Sequence, residues 1–252
     1  MIRFFRSIRQ NLLSEGKTGK YLKYAIGEIV LVVLGILIAL QINNWSENRK
    51  LQQQKSELLA SLKADAHTTE KRLDFSIEMA YDINQKLIRF LELLGHEERL
   101  IARDSLKAYG SVVFQVASFR PALAAYETAL STGNITLIKN DSLLSEYVQF
   151  KDNHDWFKLH QRISGDMVYL GSVWQFRKQL GTTDLLMQDE DNYPKKFEFS
   201  DTDFRAMFNE KEMYATYESM QWLVRNQLDA LIRAKEANQK ILNTLIRLQK
   251  EE

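Results

Sequence analysis

The chain has 252 residues, of which 45% are hydrophobic and 27% charged, and Lys+Arg 34 against Asp+Glu 33 leave a formal charge of +1. That composition excludes a disordered chain and a polytopic membrane protein, and the charge balance argues against a dedicated nucleic-acid binder, which needs a clustered basic excess. With no cysteine and four histidines, disulfide frameworks and thiolate chemistry are ruled out and little remains for a histidine-based metal centre.

Residues 1–20 read as a basic, amphipathic cytoplasmic segment. Phe5, Ile8 and Leu12 repeat at helical spacing, while Arg3, Arg6 and Arg9 form a basic stripe. Such a stripe suits an anionic leaflet; its simpler role is a charged topology signal.

Residues 21–45 read as a transmembrane helix. From Ala25 to Ile42 only Glu28 and Gln41 interrupt an apolar run. A helix from Tyr24 to Trp45 is about 33 Å long, enough for a hydrocarbon core of about 30 Å. Tyr21, Tyr24 and Trp45 stand where amphipathic rings prefer the headgroup level. Before the span, Arg3, Arg6, Arg9, Lys17, Lys20 and Lys23 face only Glu15. This excess predicts a cytoplasmic N-terminus and a single pass through the inner membrane. No small-x-small cleavage site follows, so an uncleaved signal anchor is expected rather than a signal peptide.

Inside the span, Glu28, Gly35 and Ala39 share one helical face. Gly35 and Ala39 make a small-xxx-small pair that permits close helix approach, so self-association through this face is one expected partnership. Glu28 either faces protein or reaches the interface from about one turn inside.

Residues 46–252 read as a periplasmic helical domain. Leu51, Leu58, Leu62, Ala66, Leu73, Ile77, Ala80, Ile83, Leu87, Phe90 and Leu94 form one seam, which Gly95 stops. Asp104-Ser105 suits a short helix ending at Gly110, and Val112 to Val116 fits a strand or a buried helical turn. Pro121 in a first turn opens a helix through Leu130, with Gly133 as its cap. Asn140-Asp141-Ser142 caps a helix expected from Ser142 to Leu180, with Trp156, Leu159, Ile163, Met167, Leu170 and Trp174 as its inward stripe. Gly165 and Gly171 suit close packing or a kink. Residues 181–200 read as a loop. A last helix begins at Ser200 to Asp203, with Met213, Tyr217, Met220, Val224, Leu228, Leu231, Ile241, Leu245 and Leu248 along its seam. The fold class expected is all-α: an N-terminal transmembrane helix continuing into a mostly antiparallel helical bundle with long helices.

No catalytic constellation, phosphate-cradling loop or metal motif stands out, so no enzyme, cofactor or metal is expected. His154 and His160 are six apart and do not share a helical face. Arg120, Tyr126 and Asn134 concentrate arginine, aromatic and polar groups in one stretch. They are the ligand-binding candidates, against the plainer reading of capping and core packing.

The opening MIRFFRSIRQNLLSEGKTGKYLKYAIGEIVLVVLGILIALQINNWSENRK and the later AAYETALSTGNITLIKNDSLLSEY resemble two blocks of an uncharacterised membrane-protein family abundant in Bacteroidota. In the second block Tyr126, Leu130, Gly133, Leu137, Ile138 and Leu143 or Leu144 match its pattern. The resemblance implies an envelope location and a helical outer domain, and no activity. The expected partners are the lipid bilayer and another envelope protein, with no nucleic acid. The expected role is a non-enzymatic scaffold or interaction module; the alternative is a ligand-sensing bundle that signals through a partner.

Overall fold

The computed structural model describes residues 18–94, 109–175, 205–206 and 209–251. Among them the chain is helical with no strand. We label four helices: α1 (Thr18–Leu94), α2 (Ala124–Thr132), α3 (Asp141–Tyr169) and α4 (Lys211–Lys250). Short 3-10 turns occupy Ser111–Phe114 and Asn134–Leu137. Two compact units divide at Glu57 and Leu58. The expectations for residues 1–17, 95–108 and 176–204 lie outside the described residues.

The first unit holds the apolar stretch of α1. Its side chains from Ile29 to Ile42 are all exposed, and Trp45 is 65% exposed with Arg49 over its ring at 5.8 Å. One helix near the N-terminus is therefore long and apolar enough to cross a membrane.

The second unit is built around α4. Its seam residues Met213, Tyr217, Met220, Val224, Leu231, Ile241 and Leu245 are all buried. Glu212 in its first turn and Arg247 and Lys250 in its last oppose the helix dipole favourably. Along α1, Leu62, Ala66, Leu73, Ala80, Ile83, Leu87 and Phe90 are buried as the periodicity predicts. Lys63 bonds Gln249, Lys235 bonds Asp74 and Gln221 bonds Asn84, so α4 runs antiparallel to this part of α1. Thr244 reaches Glu146 and Gln227 reaches Ser164, so α4 is antiparallel to α3 as well. The mostly antiparallel bundle is thus observed.

Two helices antiparallel to the same third helix run parallel to each other, so the chain must travel back between them. Residues 115–123 provide that return as an extended strap. Ser76 donates to the Ser118 carbonyl at 2.9 Å, and Thr69 both accepts from the Ala122 N–H at 2.9 Å and donates to its carbonyl at 3.1 Å. From the other side Gln161 of α3 donates to the Ala117 carbonyl at 2.8 Å. These side chains satisfy backbone groups that a helix would have paired internally. Pro121 therefore lies in the strap, and α2 starts three residues later than expected. Val112 and Val113 are buried in the preceding 3-10 turn, so the helical-turn alternative holds there and the strand does not.

Gly133 ends α2 at φ +75°, a left-handed conformation that favours glycine. Asn140 caps α3 by accepting from the Leu143 N–H at 2.8 Å. α3 breaks after Tyr169, where the Gly171 N–H joins that of Leu170 on the Asp166 carbonyl; residues 172–175 are helical again, so the break falls at the expected kink glycine, and the remaining stretch to Leu180 lies outside the described residues. A Cβ on Gly171 would stand 3.1 Å from Met167 Cα, a tight contact with the preceding turn that glycine relieves; Gly165 has open space and plays no such part.

The inward stripe of α3 is corrected. Its buried face carries Leu143, Tyr147, Phe150, Phe157, His160, Ser164 and Val168. Trp156, Leu159, Ile163 and Leu170 are exposed. The expected start of the final helix at Ser200 to Asp203 lies outside the described residues; residues 205–206 are helical, and α4 itself runs from Lys211, with Asn209 and Glu210 outside it.

Candidate functional site

The displaced apolar stripe of α3 makes a surface feature. Trp156 is 51% exposed and Trp222 of α4 is 58% exposed. Buried His160 lies between them, with ring centroids 4.6 Å from Trp156 and 5.8 Å from Trp222. Its Nδ1–H donates to the Trp156 carbonyl at 2.9 Å, which fixes the ring. Next to this row, Ile163, Met167, Trp222 and Leu223 line a groove of about 560 Å³, with Glu218 and Ser219 as polar lining. Apolar rings left in water cost free energy, so a face of this kind favours contact with another surface.

A second concave region lies along the strap. Arg72 Nη1 donates to the Arg120 carbonyl at 3.1 Å. Arg72 and Arg120 together line a cleft of about 730 Å³ shared with residues of α2 and α3. His154 of α3 lines it too, half-buried between Phe119 (5.5 Å, edge-on) and Phe150 (6.5 Å). Burial holds the His154 pKa below its usual value, with Lys158 and Lys151 adding to this and Asp155 opposing it.

The three sequence-predicted ligand residues separate. Arg120 is exposed and lines the cleft. Tyr126 is a core residue, 5% exposed and stacked on Tyr147 at 4.0 Å. Asn134 is exposed in a 3-10 turn, and neither it nor Tyr126 lines the cleft. Burial, then Asp65 and Tyr126, push the Tyr147 hydroxyl well above the usual tyrosine range. Glu28, Gly35 and Ala39 lie in the apolar part of α1, where Gly35 has open space around it. Nothing local in the sequence marks Arg72, Lys151 or Lys158 as site residues. Arg72 is far in sequence from Lys151 and Lys158, and all three look like ordinary surface charges until α1, the strap and α3 are docked.

A profile of a family of unknown function, DUF6090, matches residues 28–159, just over half of the chain. The protein belongs to this family. No curated protein matches the chain, and no solved structure does. The matched stretch of this DUF6090 member takes in the apolar part of α1, the strap, α2 and most of α3. Arg72, Arg120, Lys151, His154 and Lys158 all fall within it, whereas Ile163, Met167 and Trp222 lie beyond it.

Proposed function

We propose that this DUF6090 protein is a non-enzymatic scaffold anchored in the inner membrane by a single span. Its N-terminus is cytoplasmic and its helical domain periplasmic. The basic residues ahead of the span, opposed only by Glu15, support this orientation. The domain holds an envelope partner protein through the face of Trp156, Ile163, Met167 and Trp222. The observation that carries this is the half-exposed Trp222 lining an apolar groove between two helices, with the half-exposed Trp156 reached through the His160 ring. A groove of this form accepts the apolar face of a partner helix.

Alkaline phosphatase fused after the last helix tests the topology; an inactive fusion rejects the orientation. Affinity capture from detergent extracts tests the partnership. The wild-type chain recovers a defined envelope protein, and Ile163→Asp with Trp222→Ser loses it without a change in melting temperature. Capture that recovers only the protein itself rejects the scaffold reading.

A further inference from the structure

The cleft along the strap concentrates positive charge in a chain that is nearly neutral overall. Four cationic side chains line it: Arg72 from α1, Arg120 from the strap, and Lys151 and Lys158 from α3. Only two carboxylates, Glu127 and Asp155, line it with them, and Asp155 lies 3.9 Å from Lys158. Like charges gathered in one concavity repel each other and do not help the fold. A bound anion relieves that repulsion.

The two arginines are held ready. The strap under Arg120 is clamped by Thr69 and Ser76 on one side and by Gln161 on the other. Arg72 spends one N–H on the Arg120 carbonyl, and the Arg120 guanidinium makes no hydrogen bond or ion pair among the described residues. Planar guanidinium forks match carboxylate and phosphate oxygens in pairs. A clamped backbone lowers the ordering cost of binding.

A second cleft, of about 610 Å³, shares Arg72 and Arg120 with the first. Its other lining residues include Phe75, which is 64% exposed, and Phe119. Arg72 and Arg120 therefore line both the cationic cleft and the one that holds the exposed Phe75.

We propose that this double cleft binds an organic anion. Arg72, Arg120, Lys151 and Lys158 hold its carboxylate or phosphate monoester group, and an attached apolar or aromatic group rests on Phe75. A soluble metabolite and an anionic lipid headgroup both carry this chemistry.

The test uses the full chain in nanodiscs of zwitterionic lipid, titrated with phenyl phosphate and separately with inorganic phosphate. A third sample carries phosphatidic acid in the bilayer. The His154 ring is followed by NMR. A phosphate beside the ring favours its protonated form, so saturable binding raises its pKa. Phenyl phosphate binds about tenfold tighter than inorganic phosphate, through burial of the phenyl ring. Arg120→Gln weakens both by about tenfold, the loss of a charge-assisted hydrogen bond. Phe75→Ser weakens phenyl phosphate alone, to the level of inorganic phosphate. Both substituted residues are exposed, so each variant keeps its helical circular dichroism. A His154 response to phosphatidic acid with none to phenyl phosphate assigns the anion to a lipid headgroup. No response to any of the three overturns the proposal. So does an undiminished response in Arg120→Gln, or an equal response to sodium chloride at matched ionic strength.

Discussion

The Tyr217 hydroxyl donates to the Gly110 carbonyl at 2.5 Å, joining the last helix to the turn that enters the strap. The Tyr217 ring packs on Phe90 with centroids 4.3 Å apart, and both rings are fully buried. Gly110 completes the fit: a Cβ there would stand 3.2 Å from the Phe90 ring. Burial pushes the Tyr217 hydroxyl far above the usual tyrosine range, so it stays a donor in alkaline solution. Tyr217→Phe keeps the ring and strands a buried carbonyl, a loss of about 1–3 kcal/mol in urea denaturation. Tyr217→Ala also opens a cavity and costs about 3–5 kcal/mol. Equal stability of Tyr217→Phe and wild type rejects the role of the hydrogen bond.

The strap depends on side chains from α1 for its backbone pairing. Thr69 is 1% exposed and serves both the N–H and the carbonyl of Ala122. Thr69→Val preserves shape and leaves both groups without their partner. The expected cost is about 2–3 kcal/mol, more than the roughly 1 kcal/mol for Ser76→Ala, which loses a single bond. Hydrogen exchange gives a sharper reading: the Ala122 amide loses protection in Thr69→Val and keeps it in Ser76→Ala.

Neighbouring aromatics on α3 test which face is inside. Phe157 is fully buried and Trp156 is half exposed. Phe157→Ala should cost about 3–5 kcal/mol, and Trp156→Ala less than about 1 kcal/mol. Thermal melts of the two variants decide the matter; a larger loss from Trp156→Ala means the stripe faces the core after all.

His154 gives the second unit a pH dependence of known sign. In the unfolded chain it titrates near its ordinary 6.5, and in the folded chain lower, through burial first and then Lys158 and Lys151. Between those two values the unfolded chain binds the extra proton. The contribution is complete above the ordinary value, shrinks as pH falls through the window, and is lost below the folded value. Urea midpoints at about pH 7.5 and about pH 5 should drop further in wild type than in His154→Asn. Equal drops reject the assignment.

The outer helices were legible because each carries one apolar stripe at helical spacing. Along α1 the stripe from Leu62 to Phe90 lies in the core, as does that of α4 from Met213 to Leu245. α3 carries two competing stripes, and periodicity alone cannot choose between them. The buried one includes His160 and Ser164, polar groups that look external until their partners are known. His160 donates to the Trp156 carbonyl, and Ser164 accepts from Gln227, which is itself fully buried. Pro121 lies outside the helix for a related reason. Proline suits a helix start, but distant Thr69 and Ser76 offered the neighbouring backbone an extended alternative.

Arg120 was recognised as a candidate from its local setting, whereas Tyr126 went to the core and Asn134 to another turn. The cleft around Arg120 draws on α1, the strap, α2 and α3, so it exists only once those elements are docked. What the amino-acid order determined alone is the membrane-length apolar helix and the two seams, because apolar spacing and length are local properties. Which face of α3 is buried, where the strap runs and which charges meet depend on partners far apart in the chain. Those partners' hydrogen bonds and burial offset the local preferences, and only the tertiary structure brings them within reach.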